Sequence, residues 1–163
     1  MWQVASRDGR NKAFNEWVCL AMMKVIRTLA RVLLGGALMM AGVGHLTDAR
    51  QEFQAQVPVW LPLDPDFVVV ASGIVEILLG LSLLTVGWVV PWAGLVTALF
   101  FIAIFPGNIN QYVEGIDAFG LDTDQARFIR LFFQPLLVLW ALWSCESLKL
   151  IRRLTSRQKS ETY

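Results

Sequence analysis

The sequence predicts an all-α membrane protein, a polytopic four-helix bundle with both termini on the cytoplasmic side. Three observations lead there: long apolar runs, charges confined to the gaps between them, and a one-sided distribution of lysine and arginine. Of the 163 residues, 56% are hydrophobic and only 17% are charged, and the mean hydropathy is +0.54. A soluble domain of this size needs more polar surface than that. The net charge of +1 conceals the separation of charges and gives no sign of a nucleic-acid partner.

A spanning helix needs roughly 20 mostly apolar residues. The first candidate covers residues 25–46, densest over 32–43. The second covers 67–87, interrupted only by Ser72, Glu76, Ser82 and Thr85. Gly87, Trp88 and Pro91 then break the run, and a third span follows over 92–105, or from 89. The fourth covers 128–144. None alternates as a barrel strand would, so helices are the natural way to satisfy the backbone in lipid.

Charge sets the expected orientation. The N-terminal flank carries Arg7, Arg10, Lys12, Lys24, Arg27 and Arg31, and the C-terminal flank Lys149, Arg152, Arg153, Arg157 and Lys159. The two connections on the other side hold Asp48, Glu52, Asp64, Asp66, Glu114, Asp117, Asp122 and Asp124 against Arg50, Arg127 and Arg130. Positive residues stay in the cytoplasm, which places both termini inside, in a bacterial inner membrane. Trp88, Trp92, Trp140 and Trp143 then fall at the inner interface and Trp60 at the outer one. Residues 1–24 read as a poorly ordered cytoplasmic extension, 25–147 as the spanning domain and 148–163 as a basic cytoplasmic tail. A cleaved signal peptide over 22–42 is the competing reading, but more spans follow it. Cys19 and Cys145 are far apart in sequence, lack metal-ligand spacing and fall near the reducing face, so no disulfide is expected.

Ionisable groups inside spans cost at least a few kcal/mol each, which makes each a functional hypothesis. Ser72, Glu76 and Gly80 recur every four residues beside Gly73, a narrow small-residue face holding one carboxylate. At 1.5 Å per residue from Phe67, Glu76 lies about 13 Å deep. Gly35, Leu38, Gly42 and His45 share a face of the first span, and Arg127, Arg130, Gln134 and Ala141 form a stripe on the fourth. The third span ends outside in Phe105-Pro106-Gly107-Asn108-Ile109-Asn110. These positions predict a pocket open to the outside and lined by His45, Glu76, Asn108, Arg130 and Gln134, with Arg130 descending to pair with Glu76. Each residue also has a plain structural reading. Glu76 and Arg130 can be a register-fixing ion pair, His45 an interfacial hydrogen-bond donor, Asn108 and Asn110 helix-end caps, and Gln134 a bond between helices. The five glycines Gly35, Gly36, Gly42, Gly73 and Gly80 read as packing residues. Residues 47–66, stiffened by Pro58, Pro62 and Pro65, read as a short amphipathic helix and an apolar segment over the pocket, or as a mere surface connection.

The runs AGVGHL (41–46), VPVWLP (57–62), SGIVEILLGLSLL (72–84), FPGNI (105–109) and R-F-I-R-L-x-x-Q-P (127–135) resemble, in order and spacing, the DoxX-like family of small four-helix membrane proteins. The resemblance covers residues 25–144. It implies a four-helix bundle, marks His45, Glu76, Asn108, Arg130 and Gln134 as polar positions of the family, and points to thiosulfate:quinone or other membrane redox chemistry, or to receptor assembly as in animal relatives.

Two functions of different class follow. The first is a membrane subunit of a redox system, holding a quinone or small sulfur species and working with a membrane-associated redox protein. No cofactor motif is visible: one histidine excludes bis-histidine haem, and there is no CxxC or phosphate-cradling glycine loop. The second is a non-enzymatic accessory protein that assembles another membrane protein through small-residue helix faces. A solute or proton carrier ranks last, because four short helices would carry a solute only as an oligomer.

Overall fold

Local sequence signals account for where the helices begin. Asp64 caps one by accepting from Phe67 N at 2.9 Å, with Pro65 at its first position, and Thr123 caps another by accepting from Ala126 N at 3.2 Å. In the computed structural model, which describes residues 2–160 and side-chain surroundings over 11–157, the chain forms α1 (Trp2–Leu46), α2 (Arg50–Gln54), α3 (Pro65–Leu83), α4 (Val89–Val113), α5 (Asp124–Ser144) and α6 (Ser147–Ser160). There is no strand among the described residues. Three helices, α3, α4 and α5, are long and apolar enough to cross a membrane.

The polarity of the packed helices is inverted relative to a water-soluble protein. Leu33, Met40, Leu78, Leu99, Phe132 and Leu139 are exposed, whereas His45, Glu76, Asn108 and Gln134 are buried. Apolar surface on this scale requires an apolar surrounding, and the chain is a membrane protein by that criterion. Leu34, Leu38, Leu79, Leu83 and Phe101 form the interior between the helices.

Four glycines set the α1–α3 seam. A Cβ on Gly42 would stand 2.5 Å from Gly73 O, and one on Gly73 would stand 2.9 Å from Gly42 O. The same reciprocity joins Gly35 and Gly80, at 2.9 and 2.6 Å. Both pairs are seven residues apart on antiparallel helices, so the two backbones meet twice, two turns apart. Gly36 faces open space and takes no part in the seam.

α1 packs on α3 and α5, and α4 on α3 and α5, while α3 and α5 do not touch. They are therefore diagonal. The basal end gathers the α3–α4 link, α6 and the Arg27–Glu146 ion pair; the opposite, upper end carries the two long connections. α1 is one helix of 45 residues that runs through residues 2–24. One boundary differs from the sequence reading. α4 does not stop at Phe105 but continues through Pro106 to Val113. Its last turns carry Asn108, Asn110 and Gln111, all buried inside the packed helices, where Pro-Gly alone signals a stop.

Candidate functional site

At the upper end the helices diverge around a cavity of about 830 Å³. Its wall includes all five residues selected from the sequence, His45, Glu76, Asn108, Arg130 and Gln134. The rest is largely apolar, with Leu38, Phe101, Ile104 and Phe133 among the lining side chains. A volume in this range suits a ring system or a lipid-like chain more than a single ion.

On the α1–α3 wall, the Gly42–Gly73 contact brings His45 against α3, where its Cβ would lie 2.6 Å from a Cβ on Gly73. His45 Nδ1 lies 3.1 Å from Val69 O and 2.9 Å from Ser72 Oγ. A carbonyl can only accept, so Nδ1 carries the proton that reaches Val69 O, and in a neutral ring Nε2 is left with a lone pair. That Nε2 lies 3.5 Å from Glu76 Oε2, with both side chains buried. The contact does not complete a hydrogen bond, and Oε2 has no other hydrogen-bond partner among the described residues. An imidazole nitrogen and a carboxyl oxygen thus face each other at the cavity wall, each able to carry a proton. Both are nine-tenths buried or more, at 6% and 5% exposure.

The pairing expected between Glu76 and Arg130 is not made among the described residues. The diagonal placement of α3 and α5 is the reason: the two groups face the cavity from opposite walls. Arg130 instead stacks on Phe119, with Cζ 4.9 Å from the ring centroid. The Gln56 amide also faces it and, with its oxygen toward the guanidinium, accepts from Nη1 at 3.2 Å. A row of rings joins the two walls. His45 stacks on Phe53 at 3.6 Å between centroids, and Phe53 meets Phe119 edge-on at 4.7 Å.

Asn108 and Gln134 are a pair. Asn108 Nδ2 donates to Gln134 Oε1 at 2.9 Å, and Gln134 Nε2 donates to Phe101 O at 2.5 Å. This ties α4 to α5 at the cavity floor and replaces the capping role open to Asn108 in the sequence. Arg127, one turn before Arg130, turns away from the cavity. It binds Asp117 Oδ1 at 2.5 Å, Asp124 Oδ1 at 2.7 Å and Leu121 O at 2.9 Å, and so folds the α4–α5 connection around itself.

Segment 56–61 covers the mouth. Gln56, Val57, Pro58, Trp60 and Leu61 line the cavity. Gly107 admits this segment, since a Cβ there would stand 2.4 Å from Gln56 O. α2 is fastened by Arg50 Nε to Asp66 Oδ1 at 2.5 Å and Gln54 Nε2 to Asp66 Oδ1 at 3.0 Å. Glu52 accepts from Phe119 N at 2.8 Å, which docks one long connection on the other. Sequence reasoning missed Gln56, Phe53 and Phe119; their stacking depends on loop placement that helical periodicity does not encode.

A family model described as a domain of unknown function (DUF8561) matches residues 34–145. The chain belongs to that family. The matched segment contains every cavity residue named above. No curated protein and no solved structure matches the chain.

Proposed function

We propose that this member of the DUF8561 family is a DoxX-like four-helix protein of a bacterial inner membrane that holds a quinone for a membrane redox system. In this reading α1 supplies the first span through residues 25–46, both termini are cytoplasmic, and the cavity opens on the outer side. The flanking lysines and arginines support that orientation.

The observation that carries the ligand class is a buried His45–Glu76 pair facing Arg130 across a largely apolar cavity. A quinone has an apolar ring and tail and two carbonyl oxygens at opposite edges. The guanidinium donates to one, and a proton carried by His45 or Glu76 reaches the other. Reduction to the quinol takes two electrons and two protons. The electrons come from a partner redox protein; the His45–Glu76 pair relays protons. The apolar walls favour a quinone over a small sulfur oxyanion. A role in assembling another membrane protein is less well supported, because the small-residue seam is occupied within the chain by α1 and α3.

The test is extraction and mass spectrometry of small molecules from protein purified in mild detergent, followed by titration with a short-chain quinone. Quinone co-purifying with the parent and weakened about tenfold in Glu76→Gln, as for the loss of one hydrogen bond of about 1.4 kcal/mol, supports the reading. No quinone in the parent and no saturable binding reject it; a stoichiometric membrane protein without a small molecule supports the assembly role.

A further inference from the structure

The junction of α5 and α6 is an elbow built from several independent contacts. Glu146 has a φ of 57°, the left-handed region that non-glycine residues rarely occupy. Its carboxylate is held by Arg27 and by Lys149, the latter at 2.7 Å. Just after it, Ser147 Oγ donates to Pro91 O at 2.8 Å. Gly94 leaves the room: a Cβ there would stand 2.3 Å from Cys145 Cβ and 2.6 Å from Ser147 Oγ. The start of α6 is thereby pinned against the start of α4, beside the exposed Trp88 and Trp92.

Beyond the elbow, α6 is amphipathic and basic. Leu148, Leu150, Ile151 and Leu154 fall on one side at helical spacing, with Lys149, Arg152, Arg153 and Arg157 on the flanks and back. No acidic residue occurs between 147 and 160. Leu148 and Leu154 are exposed. Arg152 and Arg153 are exposed and make no ion pair among the described residues. A basic helix with an uncovered apolar stripe, turned aside where a spanning segment ends, has the composition of helices that lie in a membrane interface.

We infer that α6 is an interfacial helix that docks on anionic lipid headgroups of the leaflet at the basal end of the bundle. Its leucines enter the acyl boundary, and Arg152 and Arg153 reach phosphates on either flank. The elbow at Glu146 sets the helix at that level. This inference rests on the membrane-spanning reading above and is independent of the ligand in the cavity.

Spin labels on the full chain in nanodiscs test it, with cysteine introduced at Leu154, at Ser156 on the opposite side of α6, and at Phe132 in the exposed face of α5. In phosphatidylglycerol mixed with phosphatidylcholine, the Leu154 label becomes accessible to oxygen and shielded from an aqueous nickel complex, while the Ser156 label does not. R152Q with R153Q weakens this immersion about 25-fold, since each basic side chain near an anionic surface contributes about fivefold; R152K with R153K preserves it. High salt and pure phosphatidylcholine also weaken it. If the Phe132 label is immersed and the Leu154 label stays in water in both lipids, the inference fails and the stripe belongs to a protein partner. Immersion of Leu154 indifferent to lipid charge and to R152Q/R153Q rejects anionic recognition. A water-exposed Phe132 label overturns the spanning reading itself.

Discussion

His45 Nε2 lies 3.5 Å from Glu76 Oε2, so the group that the buried carboxyl faces is an imidazole from α1 and not Arg130. A double-mutant cycle separates the two. His45→Ala and Glu76→Gln remove two ends of one contact, so their effects on retention of the proposed quinone are non-additive. In the stability of the ligand-free protein, Glu76→Leu and Arg130→Leu act on opposite walls and are additive within about 0.5 kcal/mol, as for residues without shared partners. Compensation between the last two, measured by unfolding in mixed detergent, would show an ion pair this geometry lacks.

Asn108 and Gln134 predict a stability asymmetry. Asn108→Leu leaves the Gln134 Oε1 buried without its donor, at a cost of about 1–3 kcal/mol. Asn108→Leu with Gln134→Leu removes both amides and is milder than Asn108→Leu alone. Thermal unfolding in detergent reads the order directly; a double variant worse than the sum of the singles contradicts the pairing.

The glycine seam predicts a positional effect that hydropathy does not. Gly73→Ala places a methyl against His45 Cβ and Gly42 O, and overpacking of this kind costs about 1–3 kcal/mol. Gly36→Ala meets open space and is neutral or slightly stabilising, since alanine is the better helix former. Gly73→Ala also moves His45, so, on the proposed function, its loss of ligand binding exceeds what its loss of stability explains.

At the elbow, the Lys149 hydrogen bond, followed by the charges of Lys149 and Arg27, lowers the Glu146 carboxyl below its ordinary value of 4.5. A depressed folded-state value means that the stabilising contribution is fully present above pH 4.5 and is lost as pH falls below it. Glu146→Gln should abolish that acid-side dependence without changing stability's slope near neutrality. A spin label on α6, read in nanodiscs between pH 3 and pH 7 as a fixed experimental range (about the carboxylate titration window), reports the loosening of the junction; identical profiles for parent and Glu146→Gln would remove Glu146 from this role.

Much of the architecture is legible along the chain because it rests on local chemistry. Apolar runs of spanning length, Asp64-Pro65 and Thr123 as helix starts, and the burial of His45, Glu76, Asn108 and Gln134 all follow from side-chain type and helical period. Pro106 and Gly107 misled the reading of α4. A proline-glycine step ends a helix in isolation, but here buried amides and the backbone of Gln56 surround it.

Residue order by itself determined which side chains are expelled from lipid, since each span's polar groups must lie on one face to avoid hydrocarbon. Only the assembled helices decided who meets whom. The reciprocal glycines choose α1 as the neighbour of α3, and that choice leaves α5 diagonal to α3. Glu76 therefore meets an imidazole from α1, and Arg130 an aromatic ring and an amide from the connections. Periodicity assigns a residue to a face; the partner of that face is set by close backbone approach, which no single helix encodes.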